Sequence, residues 1–423
     1  MTVRVGDWVV KPAKLLYKLR DDRAGEGARR PLLSVSIYRG VVPRSDVTDK
    51  VPRAEDLTNY KLCEPGDVVV NRMSAYQGAL GLSHVEGIVS PEYLVLRSVL
   101  GVDSRYLCYL VKSSWFVGEM TSRLRGIGSV EQGNVRTPRI NPDDLGAIPV
   151  PTPPLVEQRA IADYLDVETE RIDALIAKKR RMIELLEERL MAARTATVTG
   201  GDGERVRTAS EWYPYLPFAW QVGTLARVTR LILDGPHVSP AYVDNTGVPF
   251  LSVRNISVHA WDLSTVKYIS HEDYAQFCRR VKPERGDVLL TKGGNTGIAR
   301  VVDFEFPFHV WVHVAILRPR RDLMSPGFLA AVLNSRPGYE QAQLWTRGAT
   351  NQDLVLGRIA KIQVPIPPGE ELPRLEAELG AVEARHRRLI DPLERQVELL
   401  TEHRKGLITA AVTGELDIPG GGA

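Results

Sequence analysis

The sequence predicts an α/β fold of the mixed α+β kind, present in two copies. Each copy is a globular domain of short strands and helices followed by one long helix. Short motifs recur in one order about 214 residues apart, each copy ends in a long stretch with helix-like apolar spacing, and short β-type runs fill the remainder. Antiparallel pairing of the two long helices as a coiled coil would relate the copies by a pseudo-twofold axis.

Length and composition fit a globular protein with more than one core. The chain has 423 residues, 43% of them hydrophobic, and a formal net charge of +3. It has no run near the ~18 apolar residues of a membrane span and no signal-peptide pattern at its start. Three scattered cysteines argue against a disulfide framework, so we expect a cytoplasmic protein. The globular segments are mildly basic, which favours a polyanion as their ligand.

The repeat is the decisive observation. Val150–Pro154 recurs as Val364–Pro368 and Ala196–Gly200 recurs as Ala410–Gly414, both at an offset of 214 residues. In the globular parts the offsets drift, because loops change length at little cost whereas a paired helix must keep its register. The predicted boundaries are globular domain 1 at 1–150, a first spacer helix at 151–200, globular domain 2 at 201–368, a second spacer helix at 369–414 and a flexible tail at 415–423.

Both spacer segments have apolar residues every three or four positions. In the first they include Ile161, Leu165 and Ile172, and Pro392 interrupts the second, where we expect a kink or a break. Neither helix has an obvious globular partner, which favours pairing with each other; the alternative is that each lies on its own domain. A paired spacer would act as a ruler between two half-sites about one DNA turn, roughly 34 Å, apart or somewhat more.

The globular segments contain short β-branched runs and two apolar helical stretches. The predicted strands are Pro31–Ile37, Asp67–Val70, Tyr93–Arg97, Pro249–Val253, Asp287–Leu290 and Val312–Leu317, and the predicted helices are Leu107–Leu124 and Pro326–Trp345.

Two polar, glycine-containing loops directly follow the Gly-Asp-Val strands of the two copies. Their candidate DNA-binding residues are Asn71, Arg72, Ser74, Tyr76 and Gln77 in the first copy and Thr291, Lys292, Asn295 and Thr296 in the second. Arginine, lysine, asparagine and glutamine can read base edges, and glycine lets the backbone approach phosphate. The alternative for either loop is an ordinary glycine-rich turn, but recurrence at equivalent positions favours function.

Further polar residues occupy matching positions outside these loops. The candidates are Ser36, Tyr38, Arg39, Arg123 and Arg125 in the first copy and Arg254, Asn255, Arg347, Asn351 and Gln352 in the second. Each could equally be a solvated loop residue, as could the basic run of Lys11, Lys14, Lys18 and Arg20. His309 and His313 could share one strand face, but no third ligand is evident, so we expect no metal.

Recognisable catalytic motifs are missing. The chain has no nucleotide-binding Gly-x-x-x-x-Gly-Lys-Ser/Thr loop, no Gly-x-Ser-x-Gly and no His-Glu-x-x-His. Asn141-Pro142-Asp143-Asp144 begins like the adenine-methyltransferase motif but lacks its second proline and its aromatic residue. The sequence therefore predicts duplicated recognition without catalytic residues.

The chain resembles the specificity (S, HsdS-type) subunit of type I restriction–modification systems over nearly its whole length. Residues 151–162, continuing through 171–176, resemble the central spacer of that family. The Gly-Asp-Val strands with their loops, and Asp234-Gly235-Pro236-His237, resemble its target-recognition domains. The second spacer departs from the family pattern, because Gly369–Pro373 replaces the Leu-x-Glu-Gln-Arg start.

The resemblance implies that each recognition domain reads one half of a bipartite double-stranded DNA site. It implies that the spacers set the gap and dock two modification subunits. S-adenosylmethionine would bind to those methyltransferase partners, and ATP and magnesium to a restriction and translocase partner; this chain would bind no cofactor. Two alternatives remain open: a coiled-coil scaffold whose globular ends bind protein, and a self-sufficient methyltransferase or nuclease.

Overall fold

The computed structural model describes residues 8–26, 30–36, 40–48, 57–124, 138–346 and 353–418. The chain folds as two compact units: unit 1 comprises Met1–Arg180 with Arg395–Ala423, and unit 2 comprises Arg181–Glu394. Each unit combines a sheet-rich globular part with the start of one long helix and the end of the other. None of the described helices is long and apolar enough to span a membrane.

Unit 1 is built on a four-stranded antiparallel sheet of order β2-β9-β6-β7, and β1 pairs with β10. Its strands are β1 (Val9–Pro12), β2 (Tyr17–Arg20), β3 (Leu33–Ser36), β4 (Gly40–Pro43), β5 (Lys61–Cys63), β6 (Val68–Asn71), β7 (Leu80–Leu82), β8 (Gly87–Val89), β9 (Tyr93–Ser98) and β10 (Pro149–Thr152). Its helices are α1 (Ser104–Lys112), α2 (Ser114–Thr121), α3 (Pro142–Gly146) and the first part of α4 (Leu155–Val198).

The central strand of this sheet is buried on both faces. Val68 and Val70 pack into a cluster with α1, α2 and the ends of the long helices, while Val69 packs into a second cluster with Leu33 and Val35. A strand covered on both sides has a continuous apolar sequence rather than an alternating one. This burial explains the unbroken Val68–Val70 run.

Unit 2 repeats this plan with a sheet of order β14-β21-β18-β19 and a β13-β22 pair, and it adds a sheet of order β15-β17-β16-β20. Its strands are β11 (Val206–Arg207), β12 (Tyr215–Leu216), β13 (Gln221–Thr224), β14 (Thr229–Asp234), β15 (Tyr242–Val243), β16 (Val248–Leu251), β17 (Lys267–Ile269), β18 (Val288–Thr291), β19 (Ala299–Val301), β20 (His309–Val310), β21 (Val314–Pro319) and β22 (Gln363–Ile366). Its helices are the end of α4, α5 (Leu225–Val228), α6 (His271–Cys278), α7 (Pro326–Leu333), α8 (Arg336–Trp345), α9 (Leu356–Ile359) and the first part of α10 (Leu372–Thr413).

The duplicated architecture is therefore confirmed at the level of strand order. Each of the two predicted globular helices is instead a pair of helices. Ser113 separates α1 from α2 with extended backbone, and its hydroxyl accepts the Phe116 N–H at 3.2 Å. Ser335 has extended backbone at the corresponding position before α8. Serine occupies the N-cap position at both places, but only the Ser113 hydroxyl caps the following helix, since the Ser335 hydroxyl donates to the Val332 carbonyl.

The long helices are antiparallel to each other in each unit. In unit 1, Lys179 of α4 donates to Gln396 of α10 at 2.5 Å, and Asp173 accepts from Arg404 at 3.0 Å. In unit 2, Arg194 pairs with Glu383 at 3.1 Å, and Thr197 donates to Glu378 at 2.8 Å. Residues later in α4 contact residues earlier in α10, which is the antiparallel pairing that the sequence predicts.

The predicted break at Pro392 is wrong, because α10 continues through it from Leu372 to Thr413. Proline removes one backbone hydrogen bond from a helix. Leu389 and Leu393, on either side of Pro392, line an apolar groove with Met182 and Leu185 of α4.

Candidate nucleic-acid interface

A buried aspartate fixes the turn that enters the central strand of unit 1. Asp67 is fully buried; its carboxylate accepts the Glu64 N–H at 2.8 Å and Nε of Arg97 at 2.8 Å. Gly66 has φ +90°, a conformation that glycine adopts without strain. The guanidinium groups of Arg20 and Arg97 lower the pKa of Glu64 to about 2.

Unit 2 contains the same arrangement. Asp287 is buried, and its carboxylate accepts the Glu284 N–H at 2.9 Å and Nε of Arg318 at 2.7 Å. Gly286 has φ +89°. In each unit the Gly-Asp-Val repeat is thus an anchored turn. It fixes the start of the following strand and therefore the position of the candidate loop at the far end of that strand.

In unit 1 the first two loop residues continue from the end of β6. The Asn71 side chain lies 3.4 Å from the Tyr93 hydroxyl and accepts the Met73 N–H at 3.2 Å. Arg72 donates from Nε to the Ile140 carbonyl at 3.0 Å and from Nη2 to Asn141 at 3.3 Å. Both side chains are half-buried and help to hold the loop.

The rest of this loop is a single turn of 3₁₀ helix, Ala75–Gln77, which ends at Gly78 with φ +96°. Ser74 and Tyr76 are half-buried and Gln77 is exposed. The Gln77 amide donates to the Tyr76 hydroxyl at 3.3 Å. This turn presents an amide and a phenol together at the loop surface.

In unit 2, Lys292 is buried rather than presented to solvent. Its ammonium contacts Asp353 at 3.0 Å and Asp234 at 3.7 Å. The charge is therefore compensated inside the domain. The structure does not place Lys292 on an accessible surface, contrary to what direct DNA contact requires.

Thr291 and Thr296 are buried as well. Thr291 accepts the Ile298 N–H at 2.9 Å through its hydroxyl, and the Thr296 carbonyl accepts from Gln343 at 2.7 Å. Asn295 is the predicted residue of this loop whose side chain is exposed, beside the exposed Gly294. These hydrogen bonds fix the loop shape around Asn295.

The two loops share a backbone contact that sequence comparison did not reveal. The Arg72 carbonyl accepts the Ile140 N–H at 3.2 Å, and the Lys292 carbonyl accepts the Leu354 N–H at 2.7 Å. Ile140 and Leu354 are 214 residues apart, the offset of the helical repeat. Each loop therefore contacts an equivalent position later in its own copy, Ile140 in unit 1 and Leu354 in unit 2.

The remaining candidates fall into three groups. Ser36 ends β3 opposite Gly40 and is half-buried, Arg123 pairs with Glu119 at 2.7 Å, and Arg254 is exposed. Asn255 is buried and caps a short turn by accepting the Ser252 N–H at 2.8 Å. Six candidates lie outside the described residues: Tyr38, Arg39, Arg125, Arg347, Asn351 and Gln352.

In the N-terminal basic run, the three lysines are exposed and the arginine is committed to the fold. Lys11, Lys14 and Lys18 are all accessible. Arg20 pairs with Asp22 at 2.6 Å and with Glu64 at 2.8 Å. Of this run, only the three lysines remain candidates for contacting phosphate.

Sequence reasoning missed the polar centre around Asp234. This aspartate is buried, accepts from Arg280 at 2.8 Å and lies 3.2 Å from the His237 ring, in addition to its contact with Lys292. A Cβ on Gly235 would come within 2.0 Å of the Val310 carbonyl, so only glycine fits. The Asp-Gly-Pro-His motif was the sequence feature that pointed to this centre. The partner of Asp234, Arg280, lies 46 residues away and could not be inferred from the motif.

The pair of histidines considered for metal binding is not arranged as a site. His309 is buried, its Nε2 lies 3.0 Å from the Val281 carbonyl, and burial lowers its pKa. His313 is partly exposed, with its Nδ1 3.8 Å from Asp353. Neither belongs to the group of potential metal ligands that the described residues bring together.

The comparisons with known proteins agree with this architecture. Residues 234–407 match the family model described as "Type I restriction modification DNA specificity domain". Across 98% of this chain and 92% of the other protein, the sequence is 22% identical to the type I restriction enzyme MjaVIII specificity subunit of Methanocaldococcus jannaschii. Residues 234–407 therefore match a type I DNA specificity domain, and the chain over nearly its whole length is similar to a specificity subunit.

Two further similarities point to the same kind of protein. The chain is 26% identical over 235 residues to the type I restriction enzyme EcoBI specificity subunit of Escherichia coli, a match spanning 52% of this chain and about half, 48%, of that protein. A solved chain described under "complex assembly and conformational transition of the type I R-M system" aligns with a TM-score of 0.62 at 17% identity, covering 98% of this chain and 100% of the other. That structural likeness supports the fold.

Proposed function

We propose that this specificity subunit reads a bipartite double-stranded DNA site, with each globular part contacting one half. The observation that carries the proposal is the equivalence of the two loops. Each follows an Asp-anchored strand, and each accepts a backbone hydrogen bond at an equivalent position, Arg72 from Ile140 and Lys292 from Leu354. A recognition surface built twice on one plan suits a ligand with two half-sites.

Within this proposal the candidate residues divide by burial. Exposed Gln77, Asn295 and Arg254 have side chains that can form hydrogen bonds with base edges. Buried Thr291, Lys292, Thr296 and Asn255 would hold the loops in shape, so their predicted role becomes positioning. Phosphate contacts are assigned to accessible cations, among them Lys11, Lys14 and Lys18.

The long helices would set the gap between half-sites and dock methyltransferase subunits. Exposed apolar side chains on the helices support the docking role. In unit 1 these include Val167, Leu175 and Leu399; in unit 2 they include Met182 and Leu185. Apolar groups repeated along a surface helix are typical of a protein-binding face.

The catalytic steps would belong to partner subunits. Modification subunits would bind S-adenosylmethionine and methylate adenine, and a restriction subunit would use ATP and magnesium. Unlike those partners, this chain would contribute DNA sequence recognition, spacing and assembly. The proposal rests on the match to a type I DNA specificity domain together with the absence of recognisable catalytic motifs from the sequence.

Methylation mapping tests the proposal directly. The chain is expressed with its modification subunits in a host free of other adenine methylation, and methylated positions are located by sequencing. We expect two short specific sequences separated by a fixed non-specific gap. A single continuous motif would refute the two-reader arrangement.

A gel-shift assay separates DNA reading from the scaffold alternative. The complex is incubated with the mapped duplex and with a duplex of the same length in which both half-sites are scrambled, at a fixed salt concentration. Preference for the mapped duplex is expected. Equal binding of both duplexes, or of neither, would support the scaffold.

A further inference from the structure

Three potential metal ligands from separate parts of unit 2 converge at one point. Glu187 comes from α4, His386 from α10, and His259 from the turn between Ser257 and Ala260 in the globular part. One ligand atom from each lies within 4.8 Å of the others. In the described part of the chain, this group alone combines three such atoms.

The distances suit coordination better than hydrogen bonding. Oε1 of Glu187 lies 3.3 Å from Nε2 of His259 and 3.3 Å from Nε2 of His386. Hydrogen bonds between a charged nitrogen and a carboxylate are normally about 2.7–2.9 Å long. Tetrahedral Zn²⁺ with bonds of about 2.0–2.1 Å places its ligand atoms about 3.3–3.4 Å apart.

The donor set selects a class of metal. Two imidazole nitrogens and one carboxylate oxygen are typical of Zn²⁺ and related transition-metal ions, whereas Mg²⁺ and Ca²⁺ prefer oxygen ligands throughout. Three protein ligands leave a fourth position for water.

The surrounding structure holds the ligands in place. His386 is buried against α4, and the two imidazole rings lie 5.2 Å apart. The turn carrying His259 is closed by Ser257, whose hydroxyl donates to the Ala260 carbonyl at 2.8 Å. Arg300 donates to the Val258 carbonyl at 3.0 Å, which ties the turn to the sheet.

We propose that Glu187, His259 and His386 form a binding site for Zn²⁺ or a similar divalent transition-metal ion. The bound ion joins the recognition part of unit 2 to its two helices at one point. It is remote in the sequence from the candidate loop residues 291–297. Its role is to fix the globular part on the helices, not to catalyse a reaction.

Metal titration of the full chain tests this site without DNA, so its failure would leave the proposed function untouched. Protein stripped with a chelator is titrated with Zn²⁺ by calorimetry, and its thermal unfolding is followed with and without the ion. Wild type should bind about one equivalent and unfold at a higher temperature when loaded. Substitution with Co²⁺ should give the strong visible absorption of a four-coordinate site.

His259→Gln is the main variant. The His259 side chain lies on a partly exposed turn, so losing the imidazole should leave the fold intact. We expect its Zn²⁺ affinity to fall at least about tenfold, since even losing a supporting residue costs that much. Glu187→Gln should behave alike. His403→Gln, at an exposed histidine on α10, is the matched control and should bind as wild type. The proposal would be overturned if wild type took up no Zn²⁺, or if His259→Gln and Glu187→Gln both bound Zn²⁺ as tightly as wild type.

Discussion

Asp67 accepts a hydrogen bond from Nε of Arg97 at 2.8 Å, and this contact has a counterpart of 2.7 Å between Asp287 and Arg318. In both units the aspartate begins the central strand and the arginine lies on the adjacent strand. The aspartates are buried, so their charge is compensated almost entirely by these partners. The contact links the repeated sequence motif to the placement of the candidate loop that follows.

Asp287→Asn should destabilise unit 2. The amide keeps the size of the side chain but leaves Arg318 without its buried anion, which should cost about 2–3 kcal/mol of unfolding free energy. Urea unfolding followed by tryptophan fluorescence measures the change. Asp22→Asn, which disrupts an exposed pair with Arg20, is the control and should cost less than about 1 kcal/mol. If both variants lost the same free energy of unfolding, the buried carboxylate would contribute no more than the exposed one.

Acid should weaken unit 1 through Glu64. Arg20 and Arg97 depress its folded pKa from the ordinary 4.5 to about 2, so its contribution to stability is present above pH 4.5 and is lost as pH falls towards 2. Glu64→Gln should flatten the fall in stability between these values, measured as thermal unfolding against pH. Glu92→Gln, at an exposed turn, should leave the profile unchanged. An unchanged Glu64→Gln profile would contradict the assignment.

The sequence predicted the elements well where a period or a repeat defined them. The first spacer helix, predicted at 151–200, spans Leu155–Val198, and both Gly-Asp-Val runs lead into central strands. It did not predict the restart of the helix at Ser113, because one serine within an apolar run does not stop a helix by propensity alone. It also did not predict that α10 continues through Pro392.

The sequence located the two candidate loops after their strands but did not indicate which of their side chains are buried. Loop placement followed from the repeat, whereas side-chain burial depends on partners distant in sequence. Lys292 is neutralised by Asp353, 61 residues later, and no local pattern signals that pairing. The Glu187, His259 and His386 cluster has the same origin, since antiparallel helices bring together residues 199 positions apart.

Each globular part is tied to the end of a long helix by an equivalent threonine. In unit 1 the Thr409 hydroxyl accepts the N–H of Ser114 at 3.1 Å, and in unit 2 the Thr195 hydroxyl accepts the N–H of Arg336 at 3.0 Å. Both donors are the first residues of a helix, whose N–H groups have no partner within that helix. The two threonines are 214 residues apart.

Thr409→Val should therefore destabilise unit 1 by about 0.5–2 kcal/mol, because it removes a cap from α2. Thr401→Val on the same helix is the matched control, since the Thr401 hydroxyl donates to the Val397 carbonyl within α10. It should change stability by less than about 0.5 kcal/mol. Thermal unfolding of the two variants decides the matter, and the prediction fails if Thr401→Val is the more damaging.

Asn295→Ala and Gln77→Ala should each relax recognition in a different half-site. Loss of one base contact costs about 1–3 kcal/mol of discrimination, while phosphate contacts and overall binding persist. Competition binding against duplexes with single changes in each half-site measures the effect. The unaffected half-site is the internal control for each variant. Loss of discrimination in both halves from one substitution would contradict separate readers.

Replacing residues 1–150 with the corresponding domain of a relative should change one half-site and leave the other intact. This segment contains the sheet of unit 1 and its candidate loop, whereas the loop of unit 2 lies at 291–297. Methylation mapping of the chimaera gives the result. The retained second half-site serves as the folding control, because a misfolded chimaera would methylate no site at all.

Lengthening both long helices by one turn should widen the gap between the half-sites. One turn adds about 5.4 Å, the length of one to two base pairs of DNA at 3.4 Å each. The insertion must be made in α4 and in α10, because antiparallel contacts such as Asp173–Arg404 and Arg194–Glu383 keep register only if both helices grow together. Methylation mapping should then show the same two half-sites with a longer gap. An insertion in α4 alone is the control and should impair assembly, and an unchanged gap in the double insertion would exclude the helices as the ruler.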